Sequence, residues 1–285
     1  MIGTPYRIEA WLFRGGIPIC PDTTGTDRFL EVAREYLEGT LIALDVDGTI
    51  SAIAPSPSEA EVTERMRGTL RRLSERCHLW FVSGRDADAA QRMVGVTSAG
   101  YIGAHGLEVL DEQGLRSLTS ASDVRPQLQQ LARMVVATVP DVAPYVESKR
   151  WSVAFHYRAF PPSSPIPGQL RRIIEEQLPA GLRLRPGKMV LEAIPAIDHD
   201  KGTALRWLID TIAPKCVLAA GDDLTDVAMF QALAERRRRT GIDALSVAVL
   251  QEGETPPPVI AAADTTVDGV WGLHGLFQRL VEGEH

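Results

Sequence analysis

Two carboxylates separated by one residue follow directly on a short apolar segment near the start of the chain. Asp45 and Asp47 come after the run Leu41 to Leu44, with Gly48 and Thr49 behind them. A short apolar run with polar flanks is typical of a buried parallel strand. Side chains at the carboxyl end of such a strand point into the crevice where open α/β sheets bind ligands. A lone pair of this kind is also common in solvated turns, so the other motifs must decide between the two interpretations.

Two further motifs occupy equivalent places at the ends of predicted elements. Ser83, Gly84 and Arg85 follow a strand predicted over His78 to Val82, where a hydroxyl and backbone N–H groups at a helix start can hold a phosphate. Lys201 opens a predicted helix. Each motif alone has a plain structural explanation, since Ser-Gly is a frequent strand-to-helix turn and an isolated lysine usually lies at the surface.

A cluster of carboxylates completes the set. Asp222, Asp223 and Asp226 lie within five residues of one another, after a strand predicted over Cys216 to Ala220. Three carboxylates this close repel one another unless a cation gathers them. Four motifs at strand or helix ends that face one crevice are hard to attribute to chance, and together they predict an active site that handles a phosphate and a metal.

The composition is that of a soluble globular protein. The chain has 285 residues, of which 45% are hydrophobic and 24% charged, so it can bury a substantial core. No signal-peptide pattern or apolar run of membrane-spanning length is present, so we expect a cytoplasmic location and no membrane partner. The three cysteines, Cys20, Cys77 and Cys216, are scattered, which predicts neither a disulfide framework nor a zinc site.

The overall charge argues against a polyanionic partner. The formal net charge is -7, so the protein has no general attraction for nucleic acid or for an anionic membrane. The basic cluster Arg236 to Arg239 has no aromatic residues between its arginines, and it is better explained as the solvated end of a helix. We therefore predict a small-molecule partner and no nucleic acid.

The order of predicted elements indicates two domains. Strands and helices alternate over residues 26–119 and again over 198–285, which predicts a Rossmann-like parallel-sheet core of the α/β class. Between them, residues 120–197 read as an αββαββ unit, a smaller α+β domain inserted into the core. Residues 1–25 are irregular, and the sequence assigns this N-terminal extension no role.

The four motifs, taken in order from Leu41 to the C-terminus, resemble those of the haloacid dehalogenase superfamily of phosphotransferases. The resemblance implies that Asp45 is the nucleophile and Asp47 the general acid/base. It also implies that Ser83 and Lys201, with the adjoining Gly84 and Arg85, hold the phosphoryl group.

The same resemblance implies a Mg²⁺ cofactor. Its ligands would be Asp45, the backbone carbonyl of Asp47, Asp222 and Asp223, and whether Asp223 or Asp226 contacts the metal directly is left open. Elementary electrostatics requires such a cation in any case. A carboxylate that attacks a phosphate dianion at about 3.5 Å meets a repulsion of about 9 kcal/mol at an effective dielectric constant near 20.

Motifs in and beside the inserted domain resemble the trehalose-6-phosphate phosphatase family. They are Gly103 to Glu108, Glu147 to Lys149, His156 to Arg158, and Gly187-Lys188 with Glu192. The resemblance implies that the inserted domain is a cap that closes on the core, and that it binds a sugar phosphate. Glu147, Lys149 and Glu192 would hold sugar hydroxyls, with Lys188 beside them, while His105 is either a substrate contact or a structural turn residue.

Other functions remain open on the sequence alone. The same mechanism could act on another glycosyl phosphate, such as sucrose-phosphate, a glucosylglycerol-phosphate or a pseudodisaccharide phosphate. Phosphomutase chemistry shares the same phosphoenzyme. A non-catalytic sugar-phosphate sensor or a synthase-regulating subunit would lack the nucleophile, the acid/base or the lysine, and all three are present here. A trehalose-phosphate synthase is a candidate partner, and we expect a monomer.

Overall fold

The computed structural model describes residues 23–53, 59–119, 123–187, 189–251 and 255–282. The predicted N-terminal extension therefore lies outside the described residues, except for Thr23 to Gly25, which begin the first helix. Within the described ranges, no helix combines the length and the apolar character needed to cross a membrane.

An eight-stranded sheet forms the larger part of the molecule, with the strand order β12-β11-β10-β1-β2-β3-β4-β5. Its strands are β1 Thr40–Leu44, β2 His78–Val82, β3 Gly100–Gly103, β4 Glu108–Asp111, β5 Gly114–Ser117, β10 Cys216–Gly221, β11 Asp243–Leu250 and β12 Thr265–Asp268. Neighbouring strands from β12 to β3 are parallel, whereas β4 and β5 form an antiparallel hairpin at one edge. The predicted parallel-sheet core is thus confirmed.

Helices cover both faces of this sheet. They are α1 Thr23–Glu35, α2 Glu64–Ser74, α3 Ala87–Val94, α6 Lys201–Ile212, α7 Leu224–Thr240, α8 Pro257–Ala262 and α9 Gly269–Glu282. Strand β1 explains why two layers are needed, because all five of its residues are buried. Ile42 and Leu44 pack into one hydrophobic cluster and Leu41 and Ala43 into the other, as the period-2 alternation of a strand requires.

The inserted domain has a sheet and a core of its own. Strands β6 Val146–Ser148, β7 Val153–His156, β8 Leu182–Gly187 and β9 Val190–Pro195 form an antiparallel sheet in the order β6-β7-β9-β8. Helices α4 Arg125–Thr138 and α5 Ile166–Gln177 contribute Leu131 and Ile174 to a buried cluster that also contains Phe155. The predicted αββαββ topology is confirmed, while the domain boundaries at residues 120 and 197 stay predictions. We call this unit the cap and the larger unit the core.

Five elements of the core are not predicted by the sequence: α3, the two strands of the β4–β5 hairpin, α8 and β12. The hairpin shows the reason. Its strands are four residues each and contain Glu108, Asp111 and Arg116, so they lack the apolar run that marks the central strands. Their stability comes from pairing with the edge of the sheet, a tertiary contact that periodicity does not report.

Candidate active site

The candidate catalytic residues meet at one edge of the core sheet. Strand β1 pairs with β10 on one side and β2 on the other, all in parallel, so their carboxyl ends lie side by side. Asp45, Ser83 and Asp222 follow these three strands and line a common cleft of about 470 Å³. The sequence motifs, far apart along the chain, are thereby brought together.

Lys201 lies at the bottom of this cleft, held between two carboxylates. Its Nζ atom is 2.7 Å from an oxygen of Asp45 and 2.7 Å from an oxygen of Asp226. Only 2% of the residue is exposed. Burial by itself would lower the pKa of Lys201, but Asp226 and Asp45 outweigh burial and raise the pKa above its ordinary value. The lysine is therefore a fixed positive charge.

Asp226 organises the loop between β10 and α7. One of its oxygens binds Lys201, and the other accepts hydrogen bonds from the backbone N–H groups of Asp222 and Asp223, each at 3.0 Å. Both oxygens of Asp226 are thus engaged by the protein itself. Asp226 therefore orients both Lys201 and the Asp222 backbone.

Asp45 and Asp222 form a buried acidic pair above Lys201. Burial raises the pKa of Asp45 well above its usual range and that of Asp222 to about 7. One Asp222 oxygen accepts a hydrogen bond from the Thr49 hydroxyl at 2.8 Å. Gly48 has a φ of 83°, and a Cβ atom there would overlap the Asp222 carboxylate, so the turn that follows β1 requires glycine.

This arrangement fits a divalent cation. Oxygens of Asp45, Asp222 and Asp226 lie within 4.8 Å of one another. Each of the first two carboxylates has one oxygen engaged, by Lys201 and by Thr49, and no hydrogen bond to the other oxygen among the described residues. Oxygen-only donors at this spacing match the preference of Mg²⁺, and a cation would offset the cost of burying these charges.

Asp47 is bound by Arg85. The guanidinium donates from Nε and Nη2 to the two carboxylate oxygens of Asp47, each at 2.7 Å, in the bidentate geometry that gives strong ion pairs. The Arg85 backbone N–H also donates to the Ser83 hydroxyl at 3.1 Å. Arg85 thus fixes the orientation of Asp47 from the neighbouring loop.

His105 lies in a strained turn behind Gly84. Ala104 and His105 have φ values of 50° and 57°, a region that non-glycine residues adopt at a cost and that clusters at functional sites. A Cβ atom on Gly84 would lie 2.6 Å from Nε2 of His105. Burial, together with the positive charges of Arg185 and Lys201, lowers the pKa of His105 to about 3. The ring is therefore neutral, and its Nε2 atom lies 3.3 Å from Nη2 of Arg185, which donates to it.

The cap contributes a second set of charged side chains above the cleft. Arg185 on β8 stands opposite Glu192 on β9 in the strand register, and their side chains form an ion pair at 2.6 Å. Nζ of Lys149 lies 4.0 Å from Glu192 and 3.7 Å from Glu147. Lys149 and Arg185 line the catalytic cleft, and with Glu192 they also line an adjoining cavity of about 320 Å³.

The predictions for three site residues, Glu147, Asp223 and Lys188, are not matched by a contact of the expected kind among the described residues. Glu147 is not among the described residues that line either cavity, and its carboxylate contacts His156 at 3.1 Å. Asp223 lines the catalytic cleft, but it is exposed and caps helix α7, and the buried acidic cluster contains Asp226 instead. The prediction that Asp223 is a metal ligand stays untested, and Lys188 lies outside the described residues.

Arg185 is not among the site residues that the sequence predicts. Within the αββαββ unit, the sequence predicts a strand over Leu182 to Leu184, which ends one residue before Arg185. The signal was available in the alternation of leucine and arginine from Leu182 to Arg185, because such alternation places every second side chain on the same face of a strand.

Comparison with solved structures identifies the fold. The described chain superimposes on a haloacid dehalogenase-like hydrolase from Bacteroides thetaiotaomicron with a TM-score of 0.60 and 19% identity, covering 85% of this chain and 99% of that one. It superimposes on the trehalose-6-phosphate phosphatase of Aspergillus fumigatus with a TM-score of 0.61 and 23% identity, covering 91% and 98%. The fold is therefore that of the haloacid dehalogenase-like hydrolases.

Sequence similarity narrows this class to one family. The trehalose-phosphatase family model matches residues 43–256. The trehalose-phosphate phosphatase of Mycobacterium marinum is 35% identical over 203 residues, which are 67% of this chain and 51% of that protein. A probable trehalose-phosphate phosphatase H of Arabidopsis thaliana is 32% identical over 219 residues, which are 70% and 62%. The chain belongs to the trehalose-phosphatase family, and it spans about half the length of the mycobacterial relative it matches.

The buried ring of His105 yields a prediction about pH. Because the folded pKa is lowered to about 3, the ring should remain neutral from pH 8 to pH 5, whereas in the unfolded chain it protonates near 6.5. As the pH falls, the unfolded state therefore binds the proton before the folded state does. His105 thus contributes stability that is present above about pH 6.5 and lost as the pH falls toward 3. The ring Cε1 proton resonance, assigned with His105→Asn, should not shift over pH 5–8. A titration midpoint above about 5 would contradict the prediction.

Proposed function

We propose that this chain is a Mg²⁺-dependent phosphatase that hydrolyses trehalose 6-phosphate to trehalose and inorganic phosphate through an aspartyl-phosphate on Asp45. The observation that carries the proposal is the pair of Lys201 with Asp45, 2.7 Å apart and buried at the bottom of a cleft between core and cap. Membership of the trehalose-phosphatase family supports the choice of sugar phosphate.

Asp45 is suited to act as a nucleophile. Lys201 holds one carboxylate oxygen, which orients the other toward the cleft and offsets the negative charge that opposes attack on a phosphate dianion. Covalent attack divides one difficult displacement into two easier ones. Ser83, whose hydroxyl is buried beside the start of α3, would hold the transferred phosphoryl group together with Lys201.

Asp47 would exchange protons with the substrate. As an acid it must protonate the leaving sugar oxygen, and as a base it must accept a proton from the water that attacks the aspartyl-phosphate. Its exposed fraction of 43% leaves it accessible from the cleft. The bidentate contact with Arg85 would keep its carboxylate aimed at the oxygen that leaves and the water that enters.

Mg²⁺ would be held by Asp45, Asp222 and the backbone carbonyl of Asp47. When bound, it would supply the positive charge that screens the phosphate dianion from Asp45. Asp226 would contribute indirectly, because its oxygens are already taken by Lys201 and by two backbone N–H groups.

The cap residues would recognise the sugar. Lys149, Arg185 and Glu192 present two cations and a carboxylate to the cavity that adjoins the catalytic cleft, and such groups can form charge-assisted hydrogen bonds with sugar hydroxyls. Glu147 would act through Lys149, which it contacts at 3.7 Å. A synthase partner, a monomeric state and a cytoplasmic location stay predictions from the sequence.

The first prediction concerns the nucleophile. Asp45→Asn keeps the shape of the side chain but removes the attacking charge, so kcat for trehalose 6-phosphate should fall to less than about a hundredth of the wild-type value. Asp111→Asn changes a carboxylate that pairs with Arg116 in the β4–β5 hairpin, and it should keep wild-type turnover. A folded Asp45→Asn protein with more than a hundredth of wild-type kcat would contradict covalent catalysis at Asp45.

The second prediction concerns the metal. Chelation should abolish hydrolysis, and added Mg²⁺ should restore it. Ca²⁺ should not restore it, because its larger and looser coordination shell tends to take a carboxylate through both oxygens and would occupy the oxygen of Asp45 that attacks. Rates are measured after dialysis against chelator and titration with each cation. Equal rates with Ca²⁺, or full activity in chelator, would exclude the proposed site.

The third prediction separates trehalose 6-phosphate from other substrates. Lys149→Ala should lower kcat/KM for trehalose 6-phosphate by roughly 10- to 1000-fold, the equivalent of one or two charge-assisted hydrogen bonds. Hydrolysis of para-nitrophenyl phosphate, which has no sugar hydroxyls, should fall far less. Lys215→Ala, at the opposite end of β10, is the matched control and should change neither.

The measurement is the ratio of the two specificity constants, with sucrose-phosphate and glucosylglycerol-phosphate assayed in parallel. If the wild-type enzyme prefers one of these two sugar phosphates by tenfold or more, that compound replaces trehalose 6-phosphate as the proposed substrate. Parallel losses on the sugar and aryl substrates in Lys149→Ala would assign Lys149 to the phosphate rather than to the sugar.

A further inference from the structure

Glu108, the first residue of β4, carries a buried carboxylate that joins the two domains. Only 1% of the residue is exposed. From the core it accepts a hydrogen bond from the backbone N–H of Ala87 at 2.7 Å. From the cap it accepts hydrogen bonds from Nη1 of Arg150, 2.8 Å from each carboxylate oxygen, and from Nε1 of Trp151 at 2.7 Å. A buried charge requires such donors, and here most of them come from the other domain.

Arg150 makes further contacts with the core. Its backbone N–H donates to Asp86 at 3.2 Å, and its Nη2 atom donates to Asp88, also at 3.2 Å. Asp86 and Asp88 stand at the start of helix α3, next to Ala87, which binds Glu108. Arg150 is therefore anchored by three carboxylates of the core, two of which contact its side chain and one its backbone.

The anchored residues form the tip of the β6–β7 hairpin. The backbone N–H of Lys149 donates to the carbonyl of Ser152 at 2.9 Å, which closes the hairpin around Arg150 and Trp151. Lys149 and Ser152 both line the cavity beneath the cap, and Lys149 also lines the catalytic cleft. Residues of this one short turn thus contact Glu108 and line the cavity, and Trp151 does both.

We infer that Glu108 is a positioning residue, which docks Arg150 and Trp151 on the core and thereby holds Lys149 over the cleft. Neither Glu108 nor Arg150 is among the described residues that line the two cavities, so neither touches the reacting groups. Both residues affect the reaction by positioning Lys149. This inference rests on the proposed function for its kinetic consequences and on the contacts alone for its structural ones.

The kinetic test replaces Arg150 by methionine, which keeps the length of the side chain and removes its donors. Because a displacement of about 1 Å can cost up to about 100-fold, kcat/KM for trehalose 6-phosphate should fall by roughly 10- to 100-fold, mainly through KM. Hydrolysis of para-nitrophenyl phosphate should stay within about threefold. Arg116→Met, which breaks an ion pair confined to the β4–β5 hairpin, is the matched control and should leave both substrates unchanged.

A double variant separates positioning from a general loss of stability. In the Lys149→Ala background, Arg150→Met should lower kcat/KM by less than about threefold, because the residue through which it acts is already absent. Arg150→Lys retains the charge and should restore part of the loss. Equal losses with and without Lys149, or parallel losses on the sugar and aryl substrates, would overturn the inference.

A structural measurement keeps the inference testable without activity. Hydrogen exchange of residues 146–152 should become about tenfold faster in Arg150→Met and in Glu108→Gln, while exchange in α6 and β10 stays unchanged. Unchanged exchange in the hairpin would refute positioning by Glu108. If the wild-type protein fails to hydrolyse sugar phosphates, the proposed function fails, and the exchange experiment still decides the role of Glu108.

Discussion

The buried contact of Lys201 with Asp45 and Asp226 is the interaction on which the rest of the site depends. It joins the end of β1, the first residue of α6 and the first turn of α7 through one ammonium group. A lysine excluded from water is stable in its charged form only with such partners. Two acidic partners leave excess negative charge at the end of the sheet, and this excess fits the buried acidic cluster to a divalent cation.

Core and cap use charge for different purposes. In the core, Asp45, Asp222 and Lys201 are buried and fixed, which the proposed function requires of groups that meet a reacting phosphate with little reorganisation. In the cap, Arg185 pairs closely with Glu192 at 2.6 Å, whereas Lys149 lies 4.0 Å from the same carboxylate. In the proposed function, Lys149 can exchange its distant carboxylate neighbour for a sugar hydroxyl, while the buried groups of the core stay in place.

The two domains are joined by polar contacts at Glu108 and by apolar contacts, since Ala104 and Leu107 of the core belong to the hydrophobic cluster of the cap. Each domain has its own hydrophobic cluster, with Phe155 and Leu131 in the cap and Ile42 and Leu41 in opposite layers of the core. The Glu108 carboxylate lies between the two domains and accepts hydrogen bonds from both of them. Because hydrogen bonds depend on direction more strongly than apolar contacts do, such a contact can define the position of a neighbouring residue.

The sequence alone determined the alternation of strands and helices in the core, the αββαββ insertion and the identity of Asp45, Asp47, Ser83 and Lys201 as site candidates. It could do so because apolar periodicity and strand ends are local properties of the chain. Tertiary structure decided what each polar group touches. Asp226 rather than Asp223 lies in the buried cluster, Arg185 pairs with Glu192, and Glu108 binds the cap, because these outcomes depend on which distant segments pack together. Contacts between residues far apart in sequence have no periodic signal, and only the folded chain defines them.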